Sequence, residues 1–74
     1  MELKLRNIIT SLSGVSQFTL DTELEELGID SLMTMELLIS IEASFHVEID
    51  ESHLGPENFK TPRTLLNLIE RVSK

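Results

Sequence analysis

From Ser31 to Phe45 the chain reads SLMTMELLISIEASF, and no glycine or proline interrupts it. Turned at about 100° per residue, this stretch makes a helix that is apolar on both faces. Leu37, Leu38, Ile41 and Phe45, with Thr34, fall on one side; Leu32, Met35 and Ile39, joined by Ala43, fall on the other, with Met33 at the margin. A helix apolar all round is normally buried all round. A chain of 74 residues, however, sits near the lower limit for a single core and can scarcely surround one of its own helices. The first stripe is therefore expected to be core. The second, flanked by Glu36 and Glu42, is expected to stay exposed as a partner-binding face, because apolar groups rimmed by charge mark interaction surfaces and methionine adapts to several partners. The competing expectation is that a short third helix and a long loop cover this stripe and make it more core.

Leu5, Ile8, Ile9 and Leu12 recur at helical spacing, which predicts a first helix from about Glu2 to Ser13 with Gly14 as its stop. GVSQFTLDTELEELGID then carries Phe18, Leu20, Leu24, Leu27 and Ile29 without sustained periodicity, so a long loop packed onto the bundle is expected, with Asp21 capping a short turn in it. The central helix starts at Asp30 or Ser31, either of which is a good N-cap, and runs to about Phe45. In HVEIDESHLGPENF, Val47, Ile49 and Leu54 can bury and Gly55-Pro56 forces a turn, so at most a short helix fits. Thr61-Pro62 is a cap followed by proline at the first helical position, and Leu65, Leu68, Ile69 and Val72 supply the stripe of a last helix. The fold class expected is all-α: a small antiparallel bundle of three main helices plus one short helix, forming a single domain over residues 1–74. Met1 and Lys74 closely bracket it, as they would in a discrete protein, although an excised module with an added methionine has the same ends.

The chain has no cysteine for a disulfide or a thiolate metal site, and small domains of oxidising compartments usually need such staples, so a reducing cytoplasm is expected. No run approaches the roughly 18 apolar residues of a membrane span, and MELKLRNIITSLSG lacks the flanks and cleavage site of a signal peptide. The net charge of −7 is segregated: no lysine or arginine occurs from Asn7 to Phe59, an interval that holds eleven of the thirteen acids. Such a field repels nucleic acid and anionic lipid and steers the domain toward basic docking surfaces, although a solvated acidic surface would also serve solubility.

Ser31, between an acidic turn and the long apolar run, has three possible roles: cap, nucleophile or attachment point. A nucleophile needs a base within hydrogen-bond reach and an oxyanion site. His46 lies fifteen residues along the same helix, which at ~1.5 Å per residue places it about 22 Å away. His53 falls in a loop, and nothing resembles the G-x-S-x-G elbow. No catalytic residue is expected, and both histidines read as surface or packing residues. Glu48, Asp50 and Glu51 lack the glycine and ligand spacing of a calcium loop, so no specific metal site is expected either. Capping alone would not account for Leu32, Glu36 and Leu37 after the pair, since Asp30 can cap unaided. Attachment accounts for more: a phosphodiester on Ser31 would lie at a helix N-terminus, where free N–H groups and the macrodipole favour negative charge, and the serine need only be exposed.

LGIDSLMTMELL resembles the attachment motif of phosphopantetheine carrier proteins, the acyl and peptidyl carriers of fatty acid, polyketide and nonribosomal peptide synthesis. The family motif of leucine, glycine, a variable residue, aspartate, serine and leucine, then glutamate and leucine, is met by Leu27, Gly28, Ile29, Asp30, Ser31, Leu32, Glu36 and Leu37. The resemblance spans nearly the whole chain, including FHVEI and the last helix after FKTP. It implies an acyl-carrier-protein-like fold, 4'-phosphopantetheine covalently bound to Ser31, and Asp30 as a contact for the transferase and its metal. It also implies partners: a phosphopantetheinyl transferase, a loading enzyme that is an adenylating enzyme or an acyltransferase, and a downstream synthase. The partner face would comprise Leu32, Met33, Met35, Glu36, Ile39 and Glu42 on a monomer.

Carriers of bacterial fatty acid synthesis usually have acidic residues directly after the D-S-L motif and near the end of the second helix, positions held here by Met33, Ala43 and Ser44. That departure favours a free-standing carrier of specialised polyketide or nonribosomal peptide biosynthesis over a fatty acid synthesis carrier. The rival from another class is an unmodified helical interaction module whose acidic surface docks one basic partner. It has no use for the ordered set Gly28, Asp30, Ser31, Leu32, Glu36 and Leu37.

Overall fold

The computed structural model describes residues 2–73, so Met1 and Lys74, the expected brackets of the domain, lie outside the described residues. Three α-helices carry the fold: α1 (Glu2–Ser13), α2 (Ser31–Phe45) and α3 (Pro62–Val72). Their bounds follow the sequence signals. Gly14, at φ 75°, ends α1 in the left-handed region that favours glycine, its N–H reaching the Thr10 carbonyl at 2.8 Å. Thr61 and Thr64 begin α3 with a reciprocal capping box, and Pro62 occupies the first helical position, where its missing N–H costs nothing. Lys4, near the start of α1, donates from Nζ to the Ser44 carbonyl at 3.2 Å and lies over the Phe45 ring at the end of α2. The two helices therefore run antiparallel.

The core is assembled from one stripe of each helix: Leu5 and Ile9 of α1, Leu37, Leu38 and Ile41 of α2, and Leu65, Leu68 and Ile69 of α3. Ile8, Leu12, Phe45 and Val72 pack half-buried at its margin. The loop between α1 and α2 adds Leu24, Leu27 and Ile29 to this core, as its apolar content predicts. It is pinned from both sides. Arg6 donates from Nη1 to the Phe18 carbonyl at 2.9 Å with its guanidinium over the Phe18 ring, while backbone bonds join Leu24 N–H to the Lys60 carbonyl and Arg63 N–H to the Leu20 carbonyl, each at 2.9 Å.

The connecting segments differ from the sequence expectation in three details. In place of one short helix, the segment after α2 holds two 3-10 turns, Glu51–His53 and Pro56–Asn58, because Pro56 can neither donate in nor continue a turn begun before Gly55. Asp21 caps nothing: the turn around it is closed by Thr19 and Thr22, and the Asp21 carboxylate instead takes a two-pronged ion pair from Arg63 at 2.8 and 3.2 Å. Leu54 remains 39% exposed, since the turn at Gly55-Pro56 carries it past the core to the edge of a groove, whereas Ile49 is buried and Val47 half-buried. Among the described residues there is no strand, and no helix is long and apolar enough to cross a membrane.

Candidate attachment site and the face beside it

The approach to Ser31 is set by a 3-10 turn, Leu24–Leu27, whose two leucines are buried. Gly28 ends it at φ 82° with its N–H on the Glu25 carbonyl at 3.1 Å, and Ile29 N–H reaches the Leu24 carbonyl at 3.1 Å. That pair of bonds is a Schellman closure, which requires the left-handed residue. A Cβ on Gly28 would meet nothing within 4 Å, so backbone conformation, not space, calls for glycine. Ile29 then plugs into the core, and the chain leaves it in extended conformation at Asp30.

Asp30 is the N-cap of α2. Its Oδ1 accepts the Met33 N–H at 2.9 Å and its carbonyl accepts both the Thr34 N–H and the Thr34 hydroxyl. Ser31 is the first residue inside the helix, exposed, with no hydrogen bond to its hydroxyl among the described residues. The backbone amides of Ser31 and Leu32 come before Thr34, the first residue of α2 whose N–H finds an intrahelical acceptor, so helix geometry leaves them free toward an anion on that hydroxyl. An uncommitted hydroxyl oxygen on a fixed first turn suits a phosphodiester.

Among the described residues neither histidine hydrogen-bonds Ser31. His46 ends α2 in a left-handed conformation, φ 56°, its N–H on the Glu42 carbonyl. His53 Nδ1 lies 3.0 Å from Asp50 Oδ1. The Ser52 hydroxyl, followed by the His53 ring, holds the Asp50 carboxyl below the ordinary carboxylate range. Among the described residues no group of three or more His, Cys, Asp or Glu side chains could hold a metal ion.

Beyond Ser31, α2 exposes the stripe singled out in the sequence. Leu32 is 79%, Met35 53% and Ile39 61% exposed, with Ala43 and Glu36 also on the surface. Neither the loop nor the segment after α2 covers them. Met33 is half-buried and packs against the core, which puts it at the stripe's edge. Glu42 also braces the fold. Half-buried, it accepts the Ile49 N–H at Oε2, 3.0 Å, and so ties the chain after α2 back to the helix.

Ser31 also opens onto a groove that the sequence did not reveal. Thr34, Pro56 and Phe59 line it beside Ser31, Leu54 lines one part, and the buried Leu24 and Ile29 with Glu23, Glu25, Asp30, Glu57 and Lys60 line the other. These residues come from three separate segments, and no spacing along the chain relates residues 54–60 to residue 31.

Residues 3–69 match the family described as Phosphopantetheine attachment site. The chain is 39% identical over 66 residues to an acyl carrier protein of Onion yellows phytoplasma, covering 86% of this chain and 84% of that one. It is 45% identical over 53 residues to the citrinin polyketide synthase of Monascus ruber, covering 69% of this chain, but it spans only 2% of the length of that synthase. Its backbone superposes with a TM-score of 0.75 on a chain of the crystal structure of Bradyrhizobium japonicum glycine:[carrier protein] ligase complexed with its cognate carrier protein and an analogue of glycyl adenylate. That match covers 90% of this chain and 96% of the other at 26% identity.

Proposed function

The chain belongs to the phosphopantetheine-attachment family of carrier proteins, and from that premise we propose that Ser31 bears the 4'-phosphopantetheine arm and that partner enzymes read the outer face of α2 beside it. The observation that carries the proposal is the Ser31 hydroxyl: exposed, without an internal hydrogen bond among the described residues, and fixed at the first position of α2 by a cap that Asp30 supplies alone. The arm, once attached, supplies a thiol that holds an acyl or aminoacyl group as a thioester. What the chain supplies is placement. Gly28 and Ile29 aim the start of α2 outward, the first-turn amides face the phosphodiester, and Asp30 stands ready to contact the transferase and its metal. A tethered cargo meets successive enzymes at an effective concentration of roughly millimolar, so the carrier needs no chemistry of its own.

The docking face comprises Leu32, Met35 and Ile39, with Met33 at its margin and Glu36 and Glu42 as its charged flank. Its readers are a phosphopantetheinyl transferase, a loading enzyme that is an adenylating enzyme or an acyltransferase, and a downstream synthase. We place this carrier, as a monomer in the cytoplasm, in specialised polyketide or nonribosomal peptide biosynthesis. The neutral Met33, Ala43 and Ser44 and the similarity to polyketide synthase segments support that assignment. The phytoplasma acyl carrier protein, similar over most of both chains, favours fatty acid synthesis as the second reading.

Co-expression with a broad-specificity phosphopantetheinyl transferase tests the attachment. The intact mass should rise by one phosphopantetheine group in the wild type and not in Ser31→Ala. An unchanged wild-type mass in the presence of active transferase, or full modification of Ser31→Ala, would refute it.

A further inference from the structure

Resting on the attachment proposed above, we infer that Lys60 is the counter-charge of the arm: its ammonium pairs with the phosphodiester on Ser31 and draws the root of the arm over the groove, away from the outer face of α2. Lys60 and Ser31 line the same groove, and Lys60 is the one lysine or arginine on it among the described residues. The other lysines and arginines among them are already engaged. Lys4 donates to the Ser44 carbonyl, Arg6 to the Phe18 carbonyl, Arg63 to the Asp21 carboxylate and Arg71 to Asn58 Oδ1. The Lys60 ammonium is exposed and makes no hydrogen bond and no ion pair among the described residues. Its backbone is nonetheless fixed. The Lys60 carbonyl accepts the Leu24 N–H at 2.9 Å, at the start of the turn that leads to Ser31, and Thr61 directly after it caps α3.

The surroundings give that ammonium a use. A phosphodiester carries a full negative charge, and on Ser31 it stands next to the Asp30 carboxylate, which the Met33 amide holds in place. Glu23, Glu25 and Glu57 line the same groove, on a chain of net charge −7. The free amides of the first turn answer the phosphate with partial charges only. Lys60 brings a full one, as a compact ammonium on a flexible stem. An exposed ion pair is worth little between free molecules, but a phosphate tethered on the facing wall meets the ammonium at a local concentration of roughly millimolar. The direction of the arm follows from the lining. Thr34 lines the groove, whereas the exposed Leu32, Met35 and Ile39 do not, so an arm rooted toward Lys60 leaves that stripe open to partners.

Phosphorus NMR of the full chain, co-expressed with a broad-specificity transferase, tests this. Intact mass comes first: no gain in the wild type with active transferase would overturn the attachment and the pairing together. On modified protein the phosphorus signal of Lys60→Gln should be displaced from that of the wild type, roughly threefold or more further at about 10 mM salt than near 1 M, where the pair is screened. Lys60→Arg, which keeps the charge, should lie near the wild type. Amide shifts between unmodified and modified protein report the direction. At low salt the wild type should show shifts about two- to fivefold larger at Thr34 and Phe59 than at Met35, and this bias should fall in Lys60→Gln. A gain in mass with a phosphorus signal indifferent to Lys60→Gln at low salt, a displacement undiminished near 1 M, or one that Lys60→Arg shares would overturn the pairing and leave the attachment standing.

Discussion

Asp30 and Ser31 are both competent helix caps by composition, and the backbone decides between them. Asp30 is extended, φ −89° and ψ −171°, with its carboxylate on the Met33 amide, whereas Ser31 is already inside α2. The sequence leaves this choice open because serine and aspartate cap equally well. Replacing Asp30 with alanine should therefore cost about 0.5–2 kcal/mol, and replacing Ser31 should change stability by less than about 0.5 kcal/mol. Urea midpoints measure both, and the reverse ranking would return the cap to Ser31 and leave its hydroxyl committed to the fold. Glu36 and Glu42 separate in a similar way. Glu36 is exposed, so Glu36→Lys should leave stability unchanged and slow modification by a basic transferase, most at low salt, since surface charge acts chiefly on encounter. Glu42→Lys should slow modification and also lose about 1–3 kcal/mol, because the Ile49 amide is left without its acceptor. Glu42→Gln, which keeps an acceptor oxygen, should recover most of that stability, and equal stability for all three variants would show that the Ile49 bond contributes nothing.

Among the elements, the three helices are legible because each announces itself locally: Gly14 after α1, Asp30-Ser31 before α2 and Thr61-Pro62 before α3, each with an apolar stripe of the right period. The connections are not, because their partners are distant. Thr61-Pro62 begins a helix, but nothing local tells that Arg63 will reach back to Asp21 and that the loop will be held by the Lys60 and Leu20 carbonyls. Leu54 reads as core for the same reason. An apolar residue beside Gly55-Pro56 is equally compatible with a core position and a groove edge until the turn's direction is known. The Asp21–Arg63 pair also predicts a pH dependence. Hydrogen bonds from Arg63 and then its charge hold the Asp21 carboxyl below the ordinary range. Because the folded value lies below the unfolded one, near 3.9, the pair's contribution is present above that value and is lost as pH falls through the folded value. Asp21→Asn should therefore lower the urea midpoint slightly at neutral pH and converge with the wild type in strong acid. A deficit that is constant with pH would mean that Asp21 acts through something other than its charge.

The whole molecule, 29 × 22 × 19 Å, is too small to hide a helix that is apolar on both sides, and α2 resolves this by division. Leu37, Leu38 and Ile41 face inward at no more than 7% exposure, while Leu32, Met35 and Ile39 face solvent at 53% or more. Of the acidic interval, Glu36 and Glu42 lie on α2 beside that outer face and Glu23, Glu25, Asp30 and Glu57 line the groove beside Ser31, while among the described residues the cations lie on α1, on α3 and just before it. This division is legible from periodicity and chain length together. The groove is not, since it exists only once the 54–60 segment has folded against the start of α2. One face of α2 thus makes the fold and the other serves partners. Met35→Glu and Ile39→Glu, compared with Ile41→Ala, probe that division when melting temperature and the rate of phosphopantetheine transfer are measured on the same preparations. Both glutamate variants should melt with the wild type but be modified and loaded more slowly, while Ile41→Ala should lose about 2–5 kcal/mol of stability. Glutamate variants that lose several kcal/mol, or that keep the wild-type transfer and loading rates while fully folded, would contradict it.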